Sequence, residues 1–169
     1  MRDTEEAALA VLESTPAIWR ELLGRLPEDI VSADLDRGWS PKRLLAHMVD
    51  VEASAFADRL HAIVEQDSPE LASTDPMGQL DAMGWEAMST GALLGQLERA
   101  RAETCRWIIG LTSEQLQRKA RHQTAGELTA SNLLHYWATH DIAHLRGVQR
   151  MLNSVLSHET GGIGQNMDV

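Results

Sequence analysis

The 169-residue sequence is poor in cysteine and aromatic residues and has no long apolar run. Its one cysteine, Cys105, cannot form an intramolecular disulfide, which fits a reducing compartment. A single thiolate also excludes zinc fingers and iron–sulfur sites, because these need several cysteine ligands. No stretch approaches the roughly 18 to 20 apolar residues that are needed to cross a bilayer. We therefore expect one soluble domain without a membrane partner.

Basic residues are scarce relative to acidic ones. Fifteen lysines and arginines stand against 25 acidic residues, which gives a net charge of −10 with neutral histidine. Such a chain repels phosphate backbones unless a local basic patch overrides the balance. The densest basic stretch, residues 118–121, is short, so we predict no nucleic-acid partner. The first six residues carry acids where a signal peptide has a basic end, which predicts a cytoplasmic protein.

Leucine and alanine are abundant, whereas valine and isoleucine are fewer, and this balance favours helix over sheet. Apolar residues recur at helical spacing in four long regions, which predicts an all-α four-helix bundle. The first region, about 3–25, contains Pro16. We favour Thr15 as an N-cap with Pro16 at the first helical position, and a kink in one longer helix is the alternative.

The other three helices have recognisable beginnings. The second begins at Ser40-Pro41 and ends near Glu65, with an inward stripe at Leu44, His47, Met48, Val51 and Ala55. The third opens near Ser89-Thr90, and the fourth runs from Thr129 or Ser131 to about Leu156. Between the second and third helices lies a long crossover with a short helix at about 80–88, and residues 118–130 are predicted to be a polar loop. The bundle is expected to span residues 1–157, followed by a flexible tail, 158–169.

Three histidines lie on these inward stripes. His140 and His144 are four residues apart, so a helix places their Cβ atoms roughly 5–6 Å from each other on one face. His47 lies on the stripe of the second helix. Buried imidazoles without partners are costly, and a shared divalent metal would use all three lone pairs. The alternatives are two polar side chains at the end of a groove and a hydrogen-bonded core histidine.

The remaining histidines fit such a site less well. His61 is about 21 Å along the helix from His47 at 1.5 Å per residue. His135 points about 140° away from His140 on a 100° helix. His122 lies in the predicted loop, where it could approach the mouth of the site, and His158 lies in the tail.

Two segments resemble a known family. Residues 39–41 and 45–52 resemble the opening of the second helix in DinB-like proteins, the DinB/YfiT superfamily. Residues 126–129 and 133–145 resemble that family's fourth-helix motif, HDxxH, which falls on His140-Asp141-Ile142-Ala143-His144. The order of helices and the long crossover agree, so the resemblance covers nearly the whole chain up to about residue 156.

The resemblance implies a four-helix bundle that holds one divalent ion, often nickel or zinc, on three histidines. These fall on His47, His140 and His144. It also implies a homodimer, and among relatives it includes thiol transferases that use bacillithiol and mycothiol-dependent enzymes such as maleylpyruvate isomerases. A low-molecular-weight thiol is therefore a candidate cosubstrate.

Three neutral imidazoles would leave coordination positions open and keep the full +2 charge of the ion. A bound water would have its pKa lowered toward about 7, and a bound thiol would be deprotonated. Asp50 and Asp141 could orient the imidazoles, or they could be ordinary helix-surface carboxylates; Asp141 lies about 100° from His140 and should reach a neighbouring helix or the rim of the site. Cys105 lies in mid-helix and is predicted to be a buried hydrophobe rather than a nucleophile.

These residues support three hypotheses. The first is a metal-dependent enzyme that acts on a small-molecule substrate by transferring a thiol to an electrophile. The second is a metal-dependent hydrolase that uses bound hydroxide. The third is a non-catalytic metal-binding module of a stress response, which predicts tight metal binding without a substrate cavity. The sequence identifies no catalytic residue beyond the predicted metal ligands.

Overall fold

A computed structural model describes residues 1–73, 80, 82 and 84–160. Within them, the elements are α1 (Asp3–Leu23), α2 (Glu28–Ser32), α3 (Pro41–Val51), a π-helix (Glu52–Ala57), α4 (Asp58–Glu65), β1 (Glu70–Leu71), a 3₁₀-helix (Trp85–Ala87), α5 (Thr90–Ile109), α6 (Ser113–Leu116), β2 (Lys119–His122), β3 (Gly126–Thr129) and α7 (Ala130–Ser157). Four rods form the bundle: α1, the continuous run from α3 to α4, α5 and α7. The predicted all-α four-helix bundle is confirmed.

Polar caps fix the beginnings of the two rods that carry the predicted site. The Ser40 hydroxyl accepts a hydrogen bond from the Arg43 backbone N–H at 3.0 Å, and Pro41 occupies the first helical position of α3. The Thr129 hydroxyl accepts from the Asn132 backbone N–H at 3.1 Å, while the Asn132 side chain accepts from the Thr129 N–H at 3.0 Å. Such caps satisfy N–H groups that have no partner inside the helix.

The first helix corrects one prediction. Helix α1 is continuous from Asp3 to Leu23 with Pro16 inside it, so Thr15 is not an N-cap. A proline has no N–H, and the Leu12 carbonyl one turn earlier therefore lacks its usual intrahelical donor. The Arg101 guanidinium on α5 supplies a replacement, because its Nη1 donates to the Leu12 carbonyl at 2.8 Å. A tertiary contact thus compensates for the proline within α1.

The second rod contains a wide turn. Residues Glu52–Ala57 form a π-helix between α3 and α4, and this shifts the inward stripe by one residue. Phe56 is buried with 2% exposure, whereas Ala55, which the regular helical pattern places on the stripe, is only partly buried. Glu52 is buried as well. A π-turn adds one residue to a helical turn, so it changes which side chains face the core beyond it.

Residues 118–130 correct a second prediction, because they form a hairpin rather than a loop. Strands β2 and β3 pair antiparallel from Lys119↔Thr129 to His122↔Gly126, and β1 adds to β2 in parallel. Gly126 follows the turn with a φ of +76°, a conformation that glycine adopts without strain. The hairpin leads directly into α7 and so positions the beginning of that helix.

The apolar core consists of two clusters with a polar layer between them. One cluster contains Leu12, Phe56 and Trp137, and the other contains Trp19, Leu97 and Val148. The change from one cluster to the other falls at Arg101 on α5 and at the 140–144 segment on α7, and on α3 it falls between Val49 and Val51, one turn after His47. The fold therefore gathers its polar residues at one level of the bundle.

Some predictions fall wholly or partly outside the described residues. The predicted short helix at 80–88 is described at residues 80, 82 and 84–88, where the 3₁₀-helix Trp85–Ala87 lies, and most of the predicted tail, 161–169, is outside. The boundary between bundle and tail stays a prediction. Among the helices of the described part, none has the length and apolar character that a membrane span requires.

Candidate metal centre

The structure brings the three predicted histidines together. His47 on α3 and the pair on α7 form a cluster whose potential ligand nitrogens all lie within 4.8 Å of one another. We call His47, His140 and His144 the histidine cluster. The Nε2 atoms of His140 and His144 are 3.0 Å apart, and the ring centroid of His47 lies 4.9 Å from that of His144 and 5.6 Å from that of His140. Imidazoles from two separate rods thus converge in the bundle.

Burial keeps two of these imidazoles neutral. Desolvation, together with the neighbouring His140, lowers the pKa of His47 to about 4. Desolvation, together with His140 and His47, lowers the pKa of His144 to about 3. A neutral imidazole retains a lone pair, which is the form that binds a metal ion. His47 and His144 therefore present lone pairs rather than charges at neutral pH.

Two ring nitrogens in the cluster have no hydrogen-bond partner in the described part of the chain. They are the buried Nδ1 atoms of His47 and His140. Buried polar atoms without partners are rare and call for an explanation such as an ion or a catalytic role. Zinc–nitrogen bonds of about 2.0–2.1 Å in tetrahedral geometry place ligand nitrogens about 3.3 Å apart. The 3.0 Å between the Nε2 atoms of His140 and His144 is close to that value, and all three ligand nitrogens lie within 4.8 Å of one another, so a small movement of the rings would fit them to a divalent ion.

Aromatic side chains hold the imidazoles in place. Phe56 meets the His140 ring at a centroid distance of 5.0 Å in an edge-on arrangement, and it stacks on Trp137 at 4.8 Å. Trp39 contacts the His47 ring edge-on at 6.0 Å. Edge-on and stacked aromatic pairs are favourable geometries that restrict side-chain rotation. The rings of the cluster are therefore walled on two sides by rigid apolar groups.

A second buried polar group lies next to the histidine cluster. Arg101 donates from Nε to Glu52 Oε1 at 2.8 Å and from Nη2 to Glu52 Oε2 at 2.7 Å. Its Nη1 donates to Asp141 Oδ2 at 2.6 Å and to the Leu12 carbonyl at 2.8 Å. The three charged side chains are each at most 1% exposed. We call Arg101, Glu52, Asp141 and the Leu12 carbonyl the charge network.

The two carboxylates of the charge network differ in their acidity. Burial raises the pKa of Glu52, although Arg101 acts against it. Burial also acts to raise the pKa of Asp141, but His140 and Arg101 outweigh it and lower that pKa. Asp141 is thus the more firmly ionised carboxylate of the pair. It follows His140 in sequence, and its Oδ1 lies 4.0 Å from His140 Nδ1.

Sequence reasoning finds the histidines but misses two members of the charge network. Asp141 reaches the neighbouring helix α5, as one of the two predicted orientations requires. Arg101 falls on the apolar stripe of the third helix, and a charged residue at a core position is a signal for buried partners. Glu52 follows the buried Met48 by one helical turn, and its N–H bonds to the Met48 carbonyl, so helical spacing could have placed it near the stripe as well.

The other candidate residues have separate roles. Asp50 is partly buried, and its Oδ2 has no hydrogen-bond partner in the described structure. His122 accepts from the backbone N–H groups of Thr124 and Ala125 with its Nδ1, which ties it to the hairpin turn. His61 stacks on Trp107 with a centroid distance of 3.7 Å, away from the cluster.

His135 and Cys105 do not join the site. The Nδ1 of His135 lies 2.7 Å from the Ser131 carbonyl of its own helix. Cys105 is buried, and desolvation raises the pKa of its thiol to about 12. A thiol with that pKa is protonated at neutral pH and is a poor nucleophile, which agrees with the prediction that Cys105 is a core residue.

A cavity lies between the hairpin and the helices, and none of its lining residues belongs to the histidine cluster. It has a volume of about 470 Å³ and is walled by the hairpin, α4 and the start of α7. Its lining residues include Arg59, His122, Leu128 and Tyr136. One of these lining residues, Tyr136, has its ring centroid 6.4 Å from that of His140. A volume in the 300–1,000 Å³ range is typical of small-molecule sites.

The fold and the site together define a class: a four-helix bundle with histidines from two rods converging in its core. The family model of the DinB superfamily matches residues 11–148, and the chain belongs to that superfamily. The solved structure of YfiT from Bacillus subtilis, described as a probable metal-dependent hydrolase with an unusual four-helix bundle topology, superposes with a TM-score of 0.84 at 16% identity. The match covers 92% of this chain and 89% of that one.

One curated sequence relative is a much longer protein. A component of the nuclease SbcCD from Pseudomonas aeruginosa is 33% identical over 117 residues, which is 64% of this chain and 10% of that protein. The chain thus spans about a tenth of the length of this relative. Membership of the DinB superfamily rests on the family model, and the YfiT structure shows the shared fold.

Proposed function

We propose that this protein is a metal-dependent enzyme that acts on small molecules. In this proposal, His47, His140 and His144 bind one divalent ion, nickel or zinc, through their ring nitrogens. The observation that carries it is the convergence of ligand nitrogens from three histidines within 4.8 Å of one another in a member of the DinB superfamily. Three protein ligands leave coordination positions for a reactant, which is the arrangement of catalytic rather than structural sites.

The reaction that we propose is the transfer of a low-molecular-weight thiol to an electrophile. A bound divalent ion would supply a positive charge that favours the ionised form of a thiol placed beside it. The chain's own part is to hold the imidazoles, which Phe56 and Trp39 pack against, and to admit the reactants. The cavity next to Tyr136 offers space for the second substrate.

Hydrolysis is the second candidate, because YfiT is described as a metal-dependent hydrolase. In that case water would take the place of the thiol, and the same three histidines would serve. The 470 Å³ cavity that Tyr136 lines near His140 offers space for a substrate, which a non-catalytic metal-binding module would not need. Substrate turnover, with and without thiol, separates the two reactions.

We also propose a homodimer. The support is the resemblance to DinB-like proteins, which implies a dimer, together with the large apolar residues that are exposed in the described chain: Ile18, Ile109, Tyr136 and Leu156. A second copy that covers such side chains would remove them from water. Sedimentation equilibrium at micromolar concentration should give twice the monomer mass of 18.7 kDa. A single species of monomer mass would contradict the dimer without affecting the proposed site.

The central experiment begins with elemental analysis of the purified, untagged protein. We expect about one nickel or zinc ion per chain. The loaded protein is then assayed with a panel of low-molecular-weight thiols and electrophilic probes, and separately with esters and amides without thiol. Turnover that needs both thiol and metal supports transfer, and turnover without thiol supports hydrolysis. Metal binding without turnover in either panel would contradict the enzymatic proposal.

A further inference from the structure

Asp141 occupies a position between the charge network and the histidine cluster. One of its oxygens, Oδ2, accepts from Arg101 Nη1 at 2.6 Å. The other, Oδ1, lies 3.4 Å from Arg101 Nη2 and 4.0 Å from His140 Nδ1. Asp141 has no exposed surface, so solvent cannot replace either contact. A single carboxylate therefore faces a fixed cation on one side and an imidazole on the other.

The His140 ring is oriented with its two nitrogens in different environments. Its Nε2 lies 3.0 Å from His144 Nε2, which directs Nε2 into the histidine cluster. Its Nδ1 is buried and has no hydrogen-bond partner within the described residues, and Asp141 Oδ1 is 4.0 Å from it. An imidazole that binds a metal through Nε2 carries its proton on Nδ1, and that N–H usually donates to a carboxylate, a carbonyl or water. Shortening the gap by about 1 Å would bring it into hydrogen-bond range.

We infer that Asp141 is a positioning residue for the metal ligand His140, and that Arg101 holds Asp141 in place for this role. The inference rests on the proposed metal site and names residues that act on it without touching the ion. When the ion binds, His140 Nδ1–H donates to Asp141 Oδ1, which fixes the tautomer and the ring orientation. The carboxylate also strengthens the imidazole as a ligand.

Arg101 is suited to this role because it is itself immobile. Its Nε, Nη1 and Nη2 atoms all donate to partners, and its guanidinium lies 5.1 Å from the centroid of the Trp137 ring. It also joins the two rods that supply the histidines. Glu52 belongs to the same rod as His47, and Asp141 belongs to the same helix as His140 and His144. The charge network thus sets the relative placement of the two halves of the site.

The test compares two isosteric variants, Asp141→Asn and Glu52→Gln. Each removes one carboxylate charge from Arg101, but only Asp141 faces His140 Nδ1. Zinc and nickel affinities are measured by calorimetric titration of the metal-free proteins, and the stability of each metal-free protein by urea unfolding. We expect Asp141→Asn to weaken metal binding by about 10–100-fold, as for other carboxylates that hold a metal-binding imidazole. Glu52→Gln should weaken it much less at a comparable change in stability.

A second measurement uses the wild-type protein, so it does not depend on whether a variant folds. In the zinc-loaded protein with ¹⁵N-labelled histidine, the His140 Nδ1–H should exchange slowly with solvent. In Asp141→Asn, if folded, that protection should fall. Equal weakening of metal binding by both variants, or rapid exchange of the Nδ1 proton in the loaded wild type, would overturn the inference. Failure of the wild type to bind metal at all would instead overturn the proposed function.

Discussion

The core of the bundle holds two polar clusters that share helix α7, and they differ in how far their hydrogen-bonding groups are matched. In the charge network, Arg101 donates from all three of its nitrogens, to two carboxylates and to one backbone carbonyl. In the histidine cluster, the Nδ1 atoms of His47 and His140 have no hydrogen-bond partner in the described structure. The guanidinium of the charge network has its hydrogen-bond partners within the chain, whereas two nitrogens of the histidine cluster do not.

The difference indicates a division of labour. A buried charge is tolerated when its partners are fixed, because desolvation is then offset by several charge-assisted hydrogen bonds. Buried nitrogens without partners cost free energy, and binding of an ion can satisfy them directly or by orienting the ring toward an acceptor such as Asp141. The charge network therefore stabilises the arrangement of the rods, while the histidine cluster is available for binding. Variants in either group should separate the two roles.

Removing a histidine should abolish binding and leave the fold. We expect His144→Ala to lose stoichiometric nickel or zinc, since two imidazoles would remain, while the far-ultraviolet circular dichroism stays helical. Elemental analysis after loading measures the metal content. The control is His135→Ala on the same helix, whose ring contacts the Ser131 carbonyl rather than the cluster. Loss of the helical signal in His144→Ala would show that the metal is structural. It would contradict the separate roles of the histidine cluster and the charge network.

Removing the cation of the charge network should lower the free energy of unfolding. Arg101→Met leaves Glu52 and Asp141 buried without their partner, and breaking a buried pair in this way costs about 3–5 kcal/mol. Urea unfolding of the metal-free protein measures the change. Arg106→Met on the same helix is the matched control, because that side chain is exposed and should change stability by about 0.5 kcal/mol or less. Equal effects of the two variants would contradict a special role for Arg101.

Metal should stabilise the wild type through the histidine cluster alone. A ligand that binds only the folded state contributes about 2.7 kcal/mol at a free concentration of 100 times its Kd. At about 2–4 °C per kcal/mol for a domain of this size, the Tm should rise by about 5–10 °C and fall again on chelation. Thermal melts with and without zinc measure this. An equal rise in His144→Ala would show that the ion binds elsewhere.

A third polar group, at the end of the bundle, should show a smaller and pH-dependent effect. Glu5 is buried and accepts from the Arg2 backbone N–H at 2.8 Å and from the Ser131 hydroxyl at 2.7 Å. Burial acts to raise its pKa, but the hydrogen bonds from Arg2 and Ser131 outweigh it and lower the pKa to about 2. Glu5, like Arg101 in the charge network, thus has its hydrogen-bond partners within the chain.

The sign of the pH effect follows from that pKa. The unfolded value is about 4.3, so the unfolded state binds more protons as the pH falls, and the Glu5 contribution is lost between about pH 5 and pH 2. Above pH 5 we expect it to contribute about 1–3 kcal/mol. Unfolding of wild type and Glu5→Gln at several pH values should give a difference that shrinks with acid. Glu6→Gln, at an exposed position, is the control.

The parts of the structure that depend on local signals could be predicted from the sequence. Ser40-Pro41 and Thr129 mark the helix starts that the structure shows, because caps act within four residues. The proximity of the three histidines followed from helical spacing and two facing stripes. Their role as metal ligands stays a prediction.

The parts of the structure that depend on distant contacts could not be predicted from the sequence. The hairpin was missed because strands of four residues with few β-branched side chains carry a weak pattern. Pro16 lies inside α1 because Arg101, which is 89 positions from Leu12, donates to the carbonyl that the proline leaves free. No local rule contains that information.

The π-turn has a consequence for comparing relatives of this protein. In a regular helix, residues nine positions apart point about 180° away from each other, yet His47 and Phe56 both lie in the core. The extra residue of the wide turn therefore makes it possible for one rod to carry a histidine of the cluster and the phenyl ring that packs against His140. A relative that lacks this residue would keep the histidine but rotate the aromatic position outward. Alignments of this segment should allow a one-residue gap before the two positions are judged equivalent.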